Sequence, residues 1–195
     1  MLTKPLRQFK SLIKLLCCSP PRGIRAGKGV IIERPRHRIS AHSHITIGDR
    51  TTIGSNPLIE PILKYAGIHY NPEISIGKDV YIGPNVYLAS ISSISIGDGC
   101  VLSEFVYIND AAHGLNPEAG LILKQPLEGA RIEIGKNCFL GLRSAIMPGV
   151  TLGDHCVVGT NAVVTKSFPA YSMIAGVPAR LIKRYSLEHR AWIKP

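Results

Sequence analysis

Ile134-Gly135-Lys136-Asn137-Cys138-Phe139-Leu140-Gly141-Leu142-Arg143-Ser144-Ala145-Ile146-Met147-Pro148-Gly149-Val150-Thr151-Leu152-Gly153 is the stretch whose reading decides the fold. In steps of six it gives Ile134, Leu140, Ile146 and Leu152, and the same steps continue to Val158 and Val164. The residue after each anchor is Gly135, Gly141, Met147, Gly153, Gly159 or Thr165. Four places after each anchor stand Cys138, Ser144, Val150, Cys156, Ala162 and Phe168, mostly small or β-branched. Sustained self-similarity at a fixed short period marks a repeat architecture.

The frame extends towards the N-terminus. Ile47-Gly48 and Ile53-Gly54 form one pair, and Ile76-Gly77, Ile82-Gly83 and Leu88-Ala89 form a set of three. Ile96-Gly97, Leu102-Ser103 and Ile108-Asn109 form another. An aliphatic two places upstream, at Ile45, Ile74, Ile94 and Ile132, announces many sets with the string I-x-I-G. Three six-residue strands make one triangular coil, in which each anchor points inward and stacks on the anchor one coil away at about 4.8 Å. Each buried aliphatic is worth about 1.5–3 kcal/mol, and stability is a sum over neighbouring coils. Six or seven coils would stand about 30 Å tall at that spacing. The glycines are expected near corners, where the chain bends and a Cβ can obstruct. The general rule for parallel crossovers is right-handed, and the residues themselves do not fix the hand.

Composition agrees with such a prism. Of the 195 residues 45% are hydrophobic but only 6% aromatic, which favours stacked β-branched side chains over a ring-filled core. The formal charge of +10 suits an anionic partner such as a nucleotide, a phosphate-bearing cofactor, nucleic acid or a membrane surface. A nucleic-acid reading lacks the aromatic-interleaved basic stripe that would stack bases. Cys17, Cys18, Cys100, Cys138 and Cys156 are odd in number and offer no paired CxxC units. The last three fall on repeat positions for a small buried residue and read as core thiols in a reducing cytosol. No stretch approaches the ~18 apolar residues of a membrane span.

Three segments leave the frame. Residues 1–38 read as a basic amphipathic helix and linker: Leu2, Leu6, Phe9, Ile13 and Leu16 recur at helical spacing among Lys4, Arg7, Lys10 and Lys14. These charges interrupt any secretory core. The helix can pack on the prism or a neighbouring chain, or attach to a membrane surface. That predicts a cytoplasmic protein with an option of peripheral contact at the inner membrane face. The main domain is expected over 39–184, with loops at 55–73 and 114–131, followed by a tail at 185–195. The second loop begins just after Ile108-Asn109-Asp110-Ala111-Ala112-His113. A histidine at the lip of a long loop on a rigid scaffold is a candidate for catalysis.

From Ile74 to Arg184 the chain resembles the hexapeptide-repeat acetyltransferases, of the maltose and galactoside O-acetyltransferase type and the bacterial polysaccharide and O-antigen type. The segment ending at His113 carries this, with Gln125-Pro126, Ile134 to Gly141 and Met147 to Gly153. So do Val163-Val164-Thr165-Lys166 and Ala175-Gly176-Val177-Pro178-Ala179-Arg180. Phe139 departs from the pattern, which usually has Trp there. The resemblance implies an all-β, left-handed parallel β-helix with an N-terminal helical extension and a short C-terminal helix. It further implies a homotrimer with each active site between two prisms.

It also implies acetyl-CoA as co-substrate and a saccharide or glycan-precursor hydroxyl as acceptor. An attacking hydroxyl needs a base, and an imidazole with an ordinary pKa of about 6.5 suits neutral pH. His113 matches the family's catalytic histidine. Asn85 matches an active-site asparagine, although Asn is also common at that corner of the repeat. Asn85, or a backbone amide near Gly141, could face the oxyanion. The resemblance lays the pantetheine arm along Gly141, Leu142, Thr160 and Thr165. Lys166, Arg180, Lys183 and Arg184 suit the phosphates. His37, His42, His44 and His69 lack the spacing of a zinc site, so no metal is expected. N-acetyl transfer to an amino sugar nucleotide, acyl transfer to a xenobiotic alcohol, and a non-enzymatic scaffold remain as alternative readings.

Overall fold

The computed structural model describes residues 19–34 and 38–194. The expected helix at 1–18 and His37 lie outside them. The anchors stack as the period demands. On the first face, Ile47 pairs with Ile76, Ile76 with Ile96, Ile96 with Ile134 and Ile134 with Leu152. On the second, Ile32, Ile53, Ile82, Leu102, Leu140, Val158 and Ile174 form one column. On the third, Ile39, Ile59, Leu88, Ile108, Ile146 and Val164 do the same. Nearly all these side chains are buried in one core. The three sheets are parallel between coils, and six coils are complete. The architecture is a parallel β-helix.

The first coil starts earlier than the sequence reading placed it. Arg25–Ala26 and Ile31–Ile32 pair with the coil above, so the prism begins inside the stretch assigned to helix and linker. In the same way Leu58–Pro61 completes a coil within the expected loop 55–73, and the excursion proper is 62–72.

The glycines and the bends belong to different positions. A Cβ on Gly77 would lie 2.6 Å from Asp98 Oδ1 and 2.7 Å from its amide nitrogen; at Gly141 it would lie 2.8 Å from the Thr160 nitrogen. Glycine therefore follows the anchor because the next coil passes against it. The left-handed bend comes two residues later, at Arg50, Asp79, Asn137 and His155 on the corner between first and second faces. Asn56, Asn85, Phe105, Arg143 and Asn161 make it on the corner between second and third. Asp98 and Asp154 accept the amides of Lys78 and Lys136 at 3.0 and 2.7 Å, tying one coil's corner to the next.

Two expectations at the C-terminal end are corrected. Phe168 does not occupy the small-residue position four places after Val164. It bridges Leu152 and starts a seventh, partial coil, because the corner before it is two residues short. The short C-terminal helix is absent among the described residues. Ala179–Ser186 runs antiparallel to Ser172–Gly176, and Ala191–Ile193 pairs with it in turn, taking up the expected tail. The last parallel strand offers an open edge of unpaired backbone groups. A β-rich sequence with Ile182, Tyr185 and Trp192 satisfies it better as strand than as helix.

Candidate active site

The fourth coil opens at Asp110. Its side chain is fully buried and takes three hydrogen bonds from the coil below. The Ser90 hydroxyl donates at 2.6 Å, the Ile91 amide at 2.8 Å and the Ser92 amide at 3.1 Å. From this fixed point Ala111–His113 leaves the prism and pairs antiparallel with Leu127–Gly129, with His113 opposite Leu127. The expected loop 114–131 is thus a hairpin with an excursion at its tip. Buried Gln125 clasps that tip: it accepts the Asn116 amide at 3.0 Å and donates to the carbonyls of Asn116 and Gly120.

The excursion 62–72 supplies a second wall that sequence reading left without a role. Its small hairpin pairs Lys64 with His69 and Tyr65 with Ile68. The Tyr70 hydroxyl donates to Leu127 O at 3.2 Å and accepts the Leu127 amide at 2.8 Å. The Tyr65 hydroxyl donates to Leu123 O at 3.1 Å, and its ring meets the His113 imidazole edge-on, 5.3 Å between centroids. The two excursions are one fastened unit.

Between them and the third face lies a cavity of about 310 Å³, lined by Glu60, Lys64, Tyr65, Tyr87, Asn109 and His113 among others. Tyr87, on its wall, stacks on Tyr107 at 4.9 Å. Burial first, then Tyr107 and Glu60, push the Tyr87 phenol above its ordinary range, so it stays a neutral donor. Glu60 is held by Arg38 at 3.5 Å. The two polar residues that precede His113 in its segment are engaged elsewhere. Asp110 is committed to the coil below, while Asn109 accepts the Ala111 amide and donates to the Tyr107 hydroxyl. The Tyr65 ring is the neighbour that borders the imidazole.

The remaining candidates fall elsewhere. Asn85 sits at a corner with φ of 57° and is not among the residues lining the His113 cavity. Gly141, Leu142 and Thr160 share that corner, between second and third faces. Thr165 and Lys166 follow the third face at its other edge, the edge from which His113 departs. The Gly141 amide donates to Val158 O at 2.9 Å, so this particular amide is not free for an oxyanion. The Lys166 ammonium lies 5.6 Å from the Phe168 ring centroid, and Arg180 donates to Ala179 O. Arg180 and Lys183 stand on the strand that closes the second face. Among the described residues no carboxylate pairs with Lys166, Arg180, Lys183 or Arg184.

Cys100, Cys138 and Cys156 stack in the corner between first and second faces, each thiol donating to a carbonyl: Gly135, Gly153 and Pro169 respectively. The Cys138 thiol is buried and donates into the core, and neighbouring Cys100 and Cys156, and then burial, push it above its usual range. The histidines near the first coil are engaged by backbone. His42 meets Arg22 O and Ile39 O, each at 2.9 Å, and His44 meets Pro72 O at 2.8 Å. Among the described residues no three His, Cys, Asp or Glu side chains converge as metal ligands. No helix there is long and apolar enough to cross a membrane.

The family model for the hexapeptide repeat of succinyl-transferase matches residues 73–109 and 131–166, stopping on either side of the His113 excursion. The chain is 34% identical over 131 residues to WcaF of Escherichia coli K12, a candidate acetyltransferase of colanic acid biosynthesis, covering 67% of this chain and 68% of WcaF. It is 32% identical over 132 residues to the galactoside O-acetyltransferase of the same organism, covering 68% of this chain and 63% of that protein. The match therefore spans a little under two thirds of the galactoside enzyme. Among solved structures, AntD, an N-acyltransferase from Bacillus cereus crystallised with dTDP and 3-hydroxybutyryl-CoA, superposes with a TM-score of 0.71 at 19% identity. That superposition covers 94% of this chain and 90% of AntD. The fold is thereby a left-handed parallel β-helix.

Proposed function

The chain belongs to the hexapeptide-repeat acetyltransferases, and on that premise we propose that it moves an acetyl group from acetyl-CoA to a hydroxyl of a saccharide or glycan precursor. The observation that carries this is the placement of His113. It stands at the mouth of a cavity with aromatic and polar walls, on a hairpin anchored at Asp110 and braced by Tyr65.

The neutral imidazole accepts the acceptor's hydroxyl proton as the oxygen attacks the thioester carbon. The carbon–sulfur bond breaks, and the imidazolium returns the proton to the departing thiolate. Transfer is direct, in a ternary complex, since buried Cys138 offers no nucleophile. Lys166, Arg180 and Lys183 serve the phosphates of acetyl-CoA, which matches their lack of carboxylate partners. Gly141, Leu142, Thr160 and Thr165 line its pantetheine arm. Because Asn85, Gly141, Leu142 and Thr160 lie on a different corner from His113, a site that uses all of them is shared between copies. This supports a homotrimer in which Asn85 of one copy faces the oxyanion beside His113 of another.

A thiol-release assay tests the activity, run with acetyl-CoA against neutral sugars, oligosaccharides and amino sugar nucleotides. Light scattering fixes the assembly in the same buffer. Release is expected with a hydroxyl acceptor on a particle of three chains. Release only with amines would turn the assignment to N-transfer, and a fully active monomer would remove the shared site. No release with any acceptor would favour the scaffold reading. Replacing either Lys166 or Arg180 by Ala should raise the acetyl-CoA KM about tenfold, the order of one charge-assisted hydrogen bond. Acceptor KM should hardly move, and equal effects on both substrates would count against the phosphate assignment.

A further inference from the structure

A second cleft, of about 310 Å³, shares no lining residue with the His113 cavity, and four rings line it: His155, Tyr171, Tyr185 and Trp192. They form a continuous ladder. His155 stacks on Tyr171 at 5.1 Å with only 5° between planes, Tyr171 on Tyr185 at 6.1 Å, and Tyr185 meets Trp192 edge-on at 5.4 Å. Aromatic residues are few in this chain, and here three of them gather with a histidine. His155 and Tyr171 occupy the same bend in successive coils, between first and second faces, with φ of 58° and 63°. A left-handed backbone is uncommon for a residue as bulky as Tyr.

The platform is rigid from beneath. The His155 amide donates to Lys136 O, the Tyr171 amide to Asp154 O and the Tyr185 amide to Tyr171 O, while Tyr185 and Trp192 face each other across paired strands. The core does not need these rings: Val158 and Ile174 already fill the adjacent column. Tyr171, Tyr185 and Trp192 are half-buried and His155 is exposed. Such rings offer flat apolar faces with polar edges, at little cost in conformational entropy.

We propose that this cleft is a saccharide-binding platform, separate from the acceptor cavity, that gives the protein a second hold on an oligomeric glycan. A pyranose ring has apolar C–H faces and hydroxyls around its rim, which complements rings edged by two phenols, an imidazole and an indole N–H. The volume lies at the small end of ligand sites, suited to a short stretch of sugar. An aromatic cluster can also cage a cation. The chain's charge of +10, with Lys183 and Arg184 on the strand that carries Tyr185, opposes that occupant. The corner also lies opposite the third face, so the cleft leaves the His113 cavity unobstructed. A second hold raises the effective concentration of the acceptor end without any new contact at His113. The choice of saccharide rests on the glycan reading of the function.

Trp192 is the only tryptophan in the chain, so its emission reports on this cleft alone. The whole protein is titrated with maltotetraose, cellotetraose and an oligogalacturonate, with and without CoA. At least one should shift the emission saturably whether or not CoA is present. Tyr171→Asn, which keeps a residue tolerant of the left-handed bend, should weaken binding about tenfold while thiol release with a monosaccharide is unchanged. His155→Ala, outside the C-terminal strands, gives a second variant should Tyr171→Asn fold poorly. The readout does not depend on catalysis, so an inactive preparation that still binds would sink the proposed activity and not the platform. An emission unmoved by all three oligosaccharides would overturn the platform. So would a shift produced by CoA or by a nucleotide in place of sugar, or unweakened binding in both variants.

Discussion

His113→Ala is expected to lower kcat by about 10²–10⁴, the usual contribution of a positioned general base. Both KM values should change little, because the cavity walls stand without the imidazole. The excursion 62–72 stays fastened through the two hydrogen bonds between Tyr70 and Leu127. An equal fall in kcat and kcat/KM is the signature of an interaction made in the transition state. Cys138→Ala should keep most of the activity, since that thiol donates into the core at Gly153. Steady-state thiol release checks both variants. A His113→Ala enzyme with near-normal kcat, or an acetyl group recovered on Cys138, would end the direct-transfer mechanism.

What the sequence revealed and what it hid divide along physical lines. The anchors were legible because each must fill the same space one coil after another, so a single apolar type recurs at a fixed step. The glycine after the anchor was legible as a pattern but not as a cause. Contact with the next coil, seen at Gly77 against Asp98, is a property of neighbours that a period only implies. The bend two places later was hidden, because Arg, Asp, Asn, His and Phe all serve there. Phe168 misled because a corner two residues short leaves no mark until the ladder is seen. The C-terminal strands depend on an open edge, which is a tertiary circumstance.

The site divided in the same way. His113 could be singled out as a candidate because it ends a repeat and begins an excursion, both local facts. Tyr65 and Tyr70 could not, since they reach their partners across 58 and 57 residues, and nothing in their own segment announces it. The one available signal was two tyrosines in a loop of a chain otherwise poor in rings. Asn85 was singled out by position, and it stands at a corner that does not line the His113 cavity.

Asp110→Ala should be the most damaging single change away from the reacting atoms. The native carboxylate is wholly buried and accepts the Ser90 hydroxyl and the Ile91 and Ser92 amides. A hydrogen bond to a charged group is worth about 1.5–3 kcal/mol, and a buried donor left without a partner costs about 1–3 kcal/mol more. The three donors are adjacent and share one acceptor, so the costs do not simply add. A loss of about 4 kcal/mol is expected, which for a domain of this size lowers Tm by roughly 8–16 °C. Asp110→Asn keeps one acceptor oxygen but turns an amide N–H₂ toward donors, and should fall between. Ser90→Ala removes one donor along with its need and should cost about 1 kcal/mol. Asp98 accepts the single Lys78 amide at a partly exposed corner, so Asp98→Ala sets the scale for an ordinary corner. The functional consequence separates positioning from bulk stability. Asp110 fastens the strand that carries His113 three residues on, so kcat should drop at temperatures well below the new Tm. Ser90→Ala and Asp98→Ala should stay near full activity at the same distance below theirs. Thermal melts paired with kcat at matched intervals below Tm decide it. An Asp110→Ala protein that melts within about 2 °C of the parent, well short of the shift expected from these bonds, would show that the buried carboxylate does not hold the lip of the site.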